Sequence, residues 1–358
     1  MSVRGSAPLT RFTFVWSAIV CLSVCLSVRG FAPLTRSTFA PSQTTIPCPG
    51  GTMFNWILYV WVLPAVVSQC PNKAEVLRHF GSYGSHCPHS ETWRGAIHRF
   101  DPSPKKTIVV TGCSKGYDAI EWLQRFQRPI LPLQDEWARK WKRFEKGACG
   151  QANDRLGVQE QGIHHGVPSV FCIEPSPVLF RHLRAVGAHL PGFHVQNLVF
   201  TGDPQVRTLP FPNGTSEAAR IGQGVPVSAS TMDAWVKEQR VGIIDVLSLD
   251  AEGHDPLILL SSSRLLASNS LRYLEFEAHL VGPWDYFHLQ DLINYLDNVG
   301  MVCFWAIGKR LFPLTGCWHD EYETKKAWTN VVCAPRLDPT SKPFLPILRN
   351  ISNQLISP

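Results

Sequence analysis

No aspartate or glutamate precedes Glu75, and neither a Cys-x-x-Cys pair nor an Asp-x-Asp triplet occurs. No apolar run reaches the ~20 residues that cross a bilayer comfortably. The missing Cys-x-x-Cys argues against a zinc ribbon or a thiol-exchange motif. The missing Asp-x-Asp argues against an anchored glycosyltransferase that holds a nucleotide sugar through a metal. Charged residues are scarce at 17%, but 44% apolar residues exclude a disordered chain for most of the length. Eleven cysteines in 358 residues are too thinly spread for a disulfide-built mini-scaffold. The length allows one large domain or two small ones.

The positive charge is local. Of the net +6, four charges are Arg4, Arg11, Arg29 and Arg36, alone among uncharged residues up to position 52. Without them the balance is 30 basic against 28 acidic residues. Near-neutrality excludes nucleic acid as a partner on charge grounds, since that needs a clustered basic face.

Residues 1–69 read as a leader. Two apolar runs, Phe12 to Val28 and Phe54 to Val67, suit signal-peptide cores or a simple membrane anchor. The second begins one residue after Met53, which is a candidate true start, with small residues allowing cleavage before Gln69. Val3–Phe14 and Val28–Phe39 agree at 10 of 12 positions. Two copies cannot build a solenoid, so duplicated leader sequence is the reading. The expected location is the lumen or membrane of the secretory pathway, or secretion. The acid-free, Arg- and Ser-rich composition with Phe31-Ala32-Pro33 leaves a two-part plastid leader as the alternative.

Beyond a mixed, His-rich extension (70–104), strands and helices alternate. Strands are expected at Thr107–Val110, Ser169–Ile173, Phe193–Phe200, Val241–Leu249, Leu271–Glu277, Met301–Ile307 and Thr329–Ala334. Helices are expected at Tyr117–Gln127, Pro177–Val186, Thr231–Gln239, Pro256–Ser268 and Trp284–Asn298. Gln134–Gly166 reads as an insertion with helical character around Asp135–Lys146, Pro204–Val225 as loop, and 336–358 as a tail. This is an α/β pattern, a Rossmann-like sheet with helices on both faces.

Four constellations carry chemistry. Gly112-Cys113-Ser114-Lys115-Gly116 joins a strand to a helix, where glycine lets backbone approach a ligand; an ordinary tight turn is the alternative. Glu174 ends the next strand and suits the two hydroxyls of a ribose, or is a helix-start charge. Asp250-Ala251-Glu252-Gly253-His254-Asp255 follows an apolar strand, and an imidazole or carboxylate there takes a proton from a hydroxyl; acids favoured by a helix N-terminus are the alternative. Glu275 and Glu277 share one face of a strand ending at His279, so at least one should reach the cleft.

These blocks resemble the FkbM family of S-adenosylmethionine-dependent methyltransferases across about residues 105–335. Val110 to Gly116 is similar to the family's D-x-G-A-N-x-G, and Glu174 to Leu183 resembles its E-P-x-P-x-x-F-x-x-L. Thr231-Met232-Asp233 resembles T-L-D, Ile244 to Gly253 resembles I-D-V-L-K-I-D-V-E-G, Leu274 to Glu277 resembles its strand ending in a glutamate, and Trp328 to Val331 resembles W-x-N-V. The resemblance implies a mostly parallel sheet with a reversed last strand, S-adenosyl-L-methionine as cofactor, no metal, and methyl transfer to a hydroxyl of a glycan or small molecule. By the resemblance Gly112, Ser114 and Gly116 line the methionine end of the cofactor, Glu174 holds the ribose, and Asp250 and Glu252 face the acceptor. Asn197 is a further cofactor-binding candidate and Glu277 a further acceptor-side one; a hydroxyl acceptor needs a base, for which Asp250, His254 and His279 are the catalytic candidates. Val110 stands where the family has an acid, and Ser114 where it has asparagine. A lipid acceptor, or a binding domain on a degenerate methyltransferase scaffold, are the competing readings.

Cys113 and Cys172 are expected as buried thiols, whereas Cys70, Cys87, Cys149, Cys303, Cys317 and Cys333 are free to pair in an oxidising compartment. Asn213-Gly214-Thr215 and Asn350-Ile351-Ser352 are glycan acceptors in the secretory pathway. His164-His165 reads as a solvated loop pair.

Overall fold

The computed structural model describes residues 70–80, 86–103, 105–126, 133–141, 167–216 and 219–353. The leader with its apolar runs and repeat, Met53, Cys149, His164-His165 and most of the expected insertion lie outside these residues. Among the described residues no helix is long and apolar enough to cross a membrane.

The centre is a mixed sheet of β1 (Thr107–Thr111), β2 (Ser169–Ile173), β3 (Phe193–Gln196), β7 (Val246–Leu249), β8 (Leu274–Ala278), β9 (Met301–Ile307), β10 (Arg310–Pro313) and β11 (Thr329–Pro335). Their order is β10-β9-β11-β8-β7-β1-β2-β3. β3, β2, β1, β7 and β8 are parallel neighbours. β11 runs against both β8 and β9. The expected reversed strand is therefore present, and β10 is a second one. It folds back on β9 through the two-residue turn Gly308-Lys309, with Gly308 at φ 57°.

Alternation along β1 explains why both faces are covered. Val109 packs into one apolar cluster with Leu247, Leu249 and Phe276, while Ile108 and Val110 pack into the other with Val246 and Val332. The covering helices start where side chains cap them. Ser176 accepts from the Leu179 N–H at the start of α5 (Pro177–Gly187), whose Pro177 has no N–H and so needs no acceptor there. Thr231 caps α6 (Met232–Glu238), and Asp233 accepts from the Arg264 and Leu265 N–H groups at the start of α8 (Ser263–Ala267).

Several expectations are corrected. The span Phe193–Phe200 is broken: β3 stays in the main sheet, while β4 (Val199–Phe200) pairs with β6 (Val225–Ser230) in a small sheet with β5 (Thr208–Phe211). The expected loop 204–225 thus contains a strand, because Phe211 and Val227 bury each other in a satellite core. The helix expected at Pro256–Ser268 is two, α7 (Asp255–Leu260) and α8. Trp284–Asn298 is a short 3-10 turn (Gly282–Asp285) followed by α9 (Leu289–Asn298). The extension is helical, with α1 (Lys73–His79) and α2 (Glu91–Phe100), and the tail forms α10 (Leu345–Asn353), which buries Leu345 and Leu348. Further described helices are α3 (Tyr117–Phe126) and α4 (Leu133–Lys140), the latter starting before the expected 135, while 142–146 of that expectation lie outside the described residues; Asp320–Lys325 is a 3-10 turn.

Cys113 and Cys172 are joined in a disulfide, not present as thiols. Facing positions on a strand and the turn beside it bring their Cα atoms to 5.5 Å, within bridging reach. Cys70–Cys317 and Cys303–Cys333 are also bonded, and so is Cys87.

Glu275 does not reach the cleft. Arg94 from α2 donates to both its oxygens (3.0 and 3.2 Å) and to Glu121 of α3 (2.6 Å), and the Tyr273 hydroxyl also donates to Glu275 (2.7 Å). All four side chains are buried. Burial works against charge on Glu121, but Arg94 and Arg125 hold its carboxyl below the usual range. Removing one member of such a network leaves an uncompensated buried charge. Arg94→Met is expected to cost about 3–5 kcal/mol in urea unfolding; a loss below about 1 kcal/mol would contradict this role.

Candidate functional site

The chain leaves β1 for β2 and β3 on one side and returns to β7 and β8 on the other. The crevice outside the carboxyl ends at such a reversal is where open α/β sheets bind ligands. The loops Gly112–Gly116, Glu174–Ser176, Asp250–Asp255 and His279–Gly282 follow those strand ends.

The first loop is shaped by left-handed backbone at Gly112 (φ 71°), Ser114 (φ 46°) and Gly116 (φ 79°). A Cβ on Gly112 would sit 1.6 Å from the Asp250 carbonyl oxygen, so the close approach of the β1 and β7 loops requires glycine. A Cβ on Gly116 would meet Leu183 at 2.8 Å and Trp137 at 3.1 Å. Trp137, on α4, also donates from Nε1 to the Lys115 carbonyl (2.7 Å), so the start of the insertion packs on the turn.

Glu174 ties this turn to the next. Its Oε2 accepts from the Ser114 N–H (2.6 Å) and its Oε1 from the Ser176 N–H (2.7 Å). The side chain is 3% exposed, and burial pushes it up to about 8, although both amides favour its charged form. Asn197 stands behind it, donating from Nδ2 to the Glu174 and Pro175 carbonyls (both 2.9 Å). Val110 is buried in the sheet core, as are Ile108, Val109 and Thr111 of its strand.

The other side is acidic. Asp250 is exposed at the end of β7, and its N–H donates to the Thr111 carbonyl (3.0 Å). Glu252 (φ 49°) and Gly253 (φ 102°) kink the chain, and a Cβ on Gly253 would meet the Val281 carbonyl oxygen at 2.5 Å. Asp255 is fully buried; its Oδ1 accepts from the Ala251 N–H (3.3 Å), and burial pushes it up to about 7. Glu277 is held well above the carboxylate range by burial and then by the charges of Asp250, Asp255 and Glu252, with Arg220 opposing.

The two imidazoles differ. Burial lowers the His254 pKa, and no described residue partners its Nδ1. His279 is lowered by burial and then by Arg220 and His86. Its Nδ1 accepts from the Leu280 N–H (2.8 Å), so the neutral ring carries its proton on Nε2.

Thus the expected Gly112, Ser114, Gly116, Glu174 and Asn197 cluster on one side, and Asp250, Glu252, His254, Glu277 and His279 on the other. Asp255, which belongs to the acidic block of the sequence though not to the named site residues, joins them, as do Thr111 and Arg220, which the sequence does not single out. Asp255 precedes Pro256 and reads as a helix-start acid. Thr111 carries no chemical signature. Arg220 arrives from a loop of the small sheet, whose folding the sequence hides. Four buried polar atoms at this edge have no partner among the described residues: Thr111 Oγ1, Ser114 Oγ, His254 Nδ1 and Asp255 Oδ2.

No family model matches the chain, and no curated protein matches it. Among solved structures it is similar to the methyltransferase FkbM from Methylobacillus flagellatus KT, with 14% identity and a TM-score of 0.38. The match covers 69% of this chain and 48% of that one, so the chain matches about half of that protein's length.

Two outcomes are expected. In Glu174→Gln one amide NH2 must face either the Ser114 or the Ser176 N–H, leaving a buried donor unpaired at about 1–3 kcal/mol; unchanged thermal stability would contradict the carboxylate's bridging role. Asp255 and Glu174 ionise less readily folded than unfolded. Their contribution is therefore full below about pH 4 and lost as pH rises towards 7 and 8. Each withdraws about 1.4 kcal/mol per pH unit within its window. Asp255→Asn should lose less stability between pH 5 and 8 than the unaltered protein; equal losses in urea titrations would contradict the assignment.

Proposed function

We propose that the protein is an S-adenosylmethionine-dependent methyltransferase acting on a hydroxyl of a carbohydrate or similar small acceptor. The observation that carries this is the group of four buried polar atoms with no partner among the described residues at the sheet's switch point, flanked by a glycine turn on one side and acids on the other. Buried polar groups without partners in a folded protein call for a ligand or water.

The residues fit the cofactor in most respects. Gly112 and Gly116 allow close backbone approach, and Ser114 offers a hydroxyl. Asp250 and Glu252 favour a cationic ligand such as a sulfonium. The buried Val110 supplies no acid for the cofactor's ammonium group. When bound, the cofactor supplies an already activated methyl group, so the protein's work is alignment and proton handling. His254, neutral and with Nδ1 uncommitted, takes the proton from the acceptor hydroxyl. His279 has its Nδ1 engaged and donates from Nε2 to orient the acceptor.

The buried Val110 favours one second reading, a binding domain that has lost methyl transfer. The disulfides favour an oxidising location, in keeping with secretory targeting. Asn213 and Asn350 are exposed, as glycan acceptors there must be.

The test is methyl transfer from labelled S-adenosylmethionine to a glycan panel, with titration of the cofactor in parallel. His254→Ala should lower transfer at least 100-fold while cofactor affinity stays within threefold. Asp250→Ala should abolish transfer with the fold intact. Cofactor binding lost together with folding in Asp250→Ala would make that residue structural. No binding to the unaltered protein at millimolar cofactor would favour the degenerate scaffold.

A further inference from the structure

We propose that the Cys113–Cys172 disulfide is a positioning element of the ligand site, so that ligand affinity depends on the thiol redox state of the protein. The ligand part rests on the reading of the glycine turn given above. The bond lies inside the turn: Cys113 is between Gly112 and Ser114, and Cys172 is two residues before Glu174. Both are buried, at 6% and 0% exposure.

Three consecutive positions of β2 and its end hold the turn. Cys172 does so through sulfur. The Ile173 carbonyl accepts from the Gly112 and Cys113 N–H groups, both at 3.1 Å. Glu174 accepts from the Ser114 N–H. The covalent bond is thus flanked by the hydrogen bonds that shape the loop. The loop needs such restraint, because Ser114 is a non-glycine residue in left-handed backbone, an arrangement that persists only when its surroundings impose it. Two other bonded pairs lie elsewhere. Cys70–Cys317 joins the segment before α1 to the one after β10, and Cys303–Cys333 bridges β9 and β11.

A dithiol reductant would open the bond by thiolate attack on one sulfur, forming a mixed disulfide and releasing one cysteine thiolate. Its second thiol then closes on the first, releasing the other cysteine; the dithiol gives up two electrons and leaves as a disulfide. Because both sulfurs are buried, attack requires the turn to open, and a ligand seated on the turn opposes that.

The test compares Cys113→Ala/Cys172→Ala with Cys303→Ala/Cys333→Ala in the full chain. Amide hydrogen exchange at Gly112–Gly116 is expected to rise at least tenfold in the first variant and stay within twofold in the second. The dissociation constant for S-adenosylmethionine should rise at least tenfold in the first only. Equal exchange and equal affinity in the two variants would overturn the proposal. If the unaltered protein binds no S-adenosylmethionine, the functional reading fails while the exchange comparison still decides the positioning role. Should the first variant not fold, the unaltered protein is treated with dithiothreitol under native conditions and the freed thiols alkylated. Loosening of Gly112–Gly116 in the species alkylated at Cys113 and Cys172 supports the proposal, and unchanged exchange there overturns it.

Discussion

One buried carboxylate sets the geometry of the crevice. Glu174 accepts from Ser114 on one side and Ser176 on the other, and so fixes the glycine turn and the start of α5 relative to each other. Everything around it repeats that constraint. Asn197 clamps its backbone, Ile173 holds two amides of the turn, and the Cys113–Cys172 bond ties the turn to the same strand. Burying this group works against its charge, a cost the protein bears at the one edge where the sheet reverses direction.

The acids opposite follow the same logic. Asp255 and Glu277 are buried where ionisation is unfavourable, and their neighbours Asp250 and Glu252 raise Glu277 further. Four carboxyl groups, Asp250, Glu252, Asp255 and Glu277, gather at the neighbouring ends of β7 and β8. The structural ion pairs of the molecule look different. Arg94 satisfies Glu121 and Glu275, and Arg272 satisfies Asp101, Asp245 and Asp338, with each acid directly bonded. Arginine partners hold Glu121 and Asp101 below the carboxylate range, whereas burial raises Asp255 and Glu277.

Much of this was legible in the sequence. β2 and β9 fall at the expected residues because each is a short apolar run with clear boundaries, and the glycine turn is marked by spacing alone. Glu275 shows the limit: period two puts it on the face of Glu277 without saying which of the two reaches the cleft, because its partner Arg94 comes from a helix 181 residues earlier. The small sheet was hidden because its strands are short and partly exposed, so that alternation carries little signal. The Cys113–Cys172 bond was hidden because pairing depends on the turn's path over β2, and the sequence reports only that both residues are apolar enough to bury.

The central claim is that the glycine turn and the acidic loop after β7 form one ligand site for S-adenosylmethionine. Amide hydrogen exchange of the unaltered protein with and without millimolar S-adenosylmethionine tests it most directly. Slowed exchange at both Gly112–Gly116 and Asp250–Asp255, with the β9–β10 turn unaffected, is the predicted result. Protection absent from both loops would contradict the claim, as would protection at another edge of the sheet.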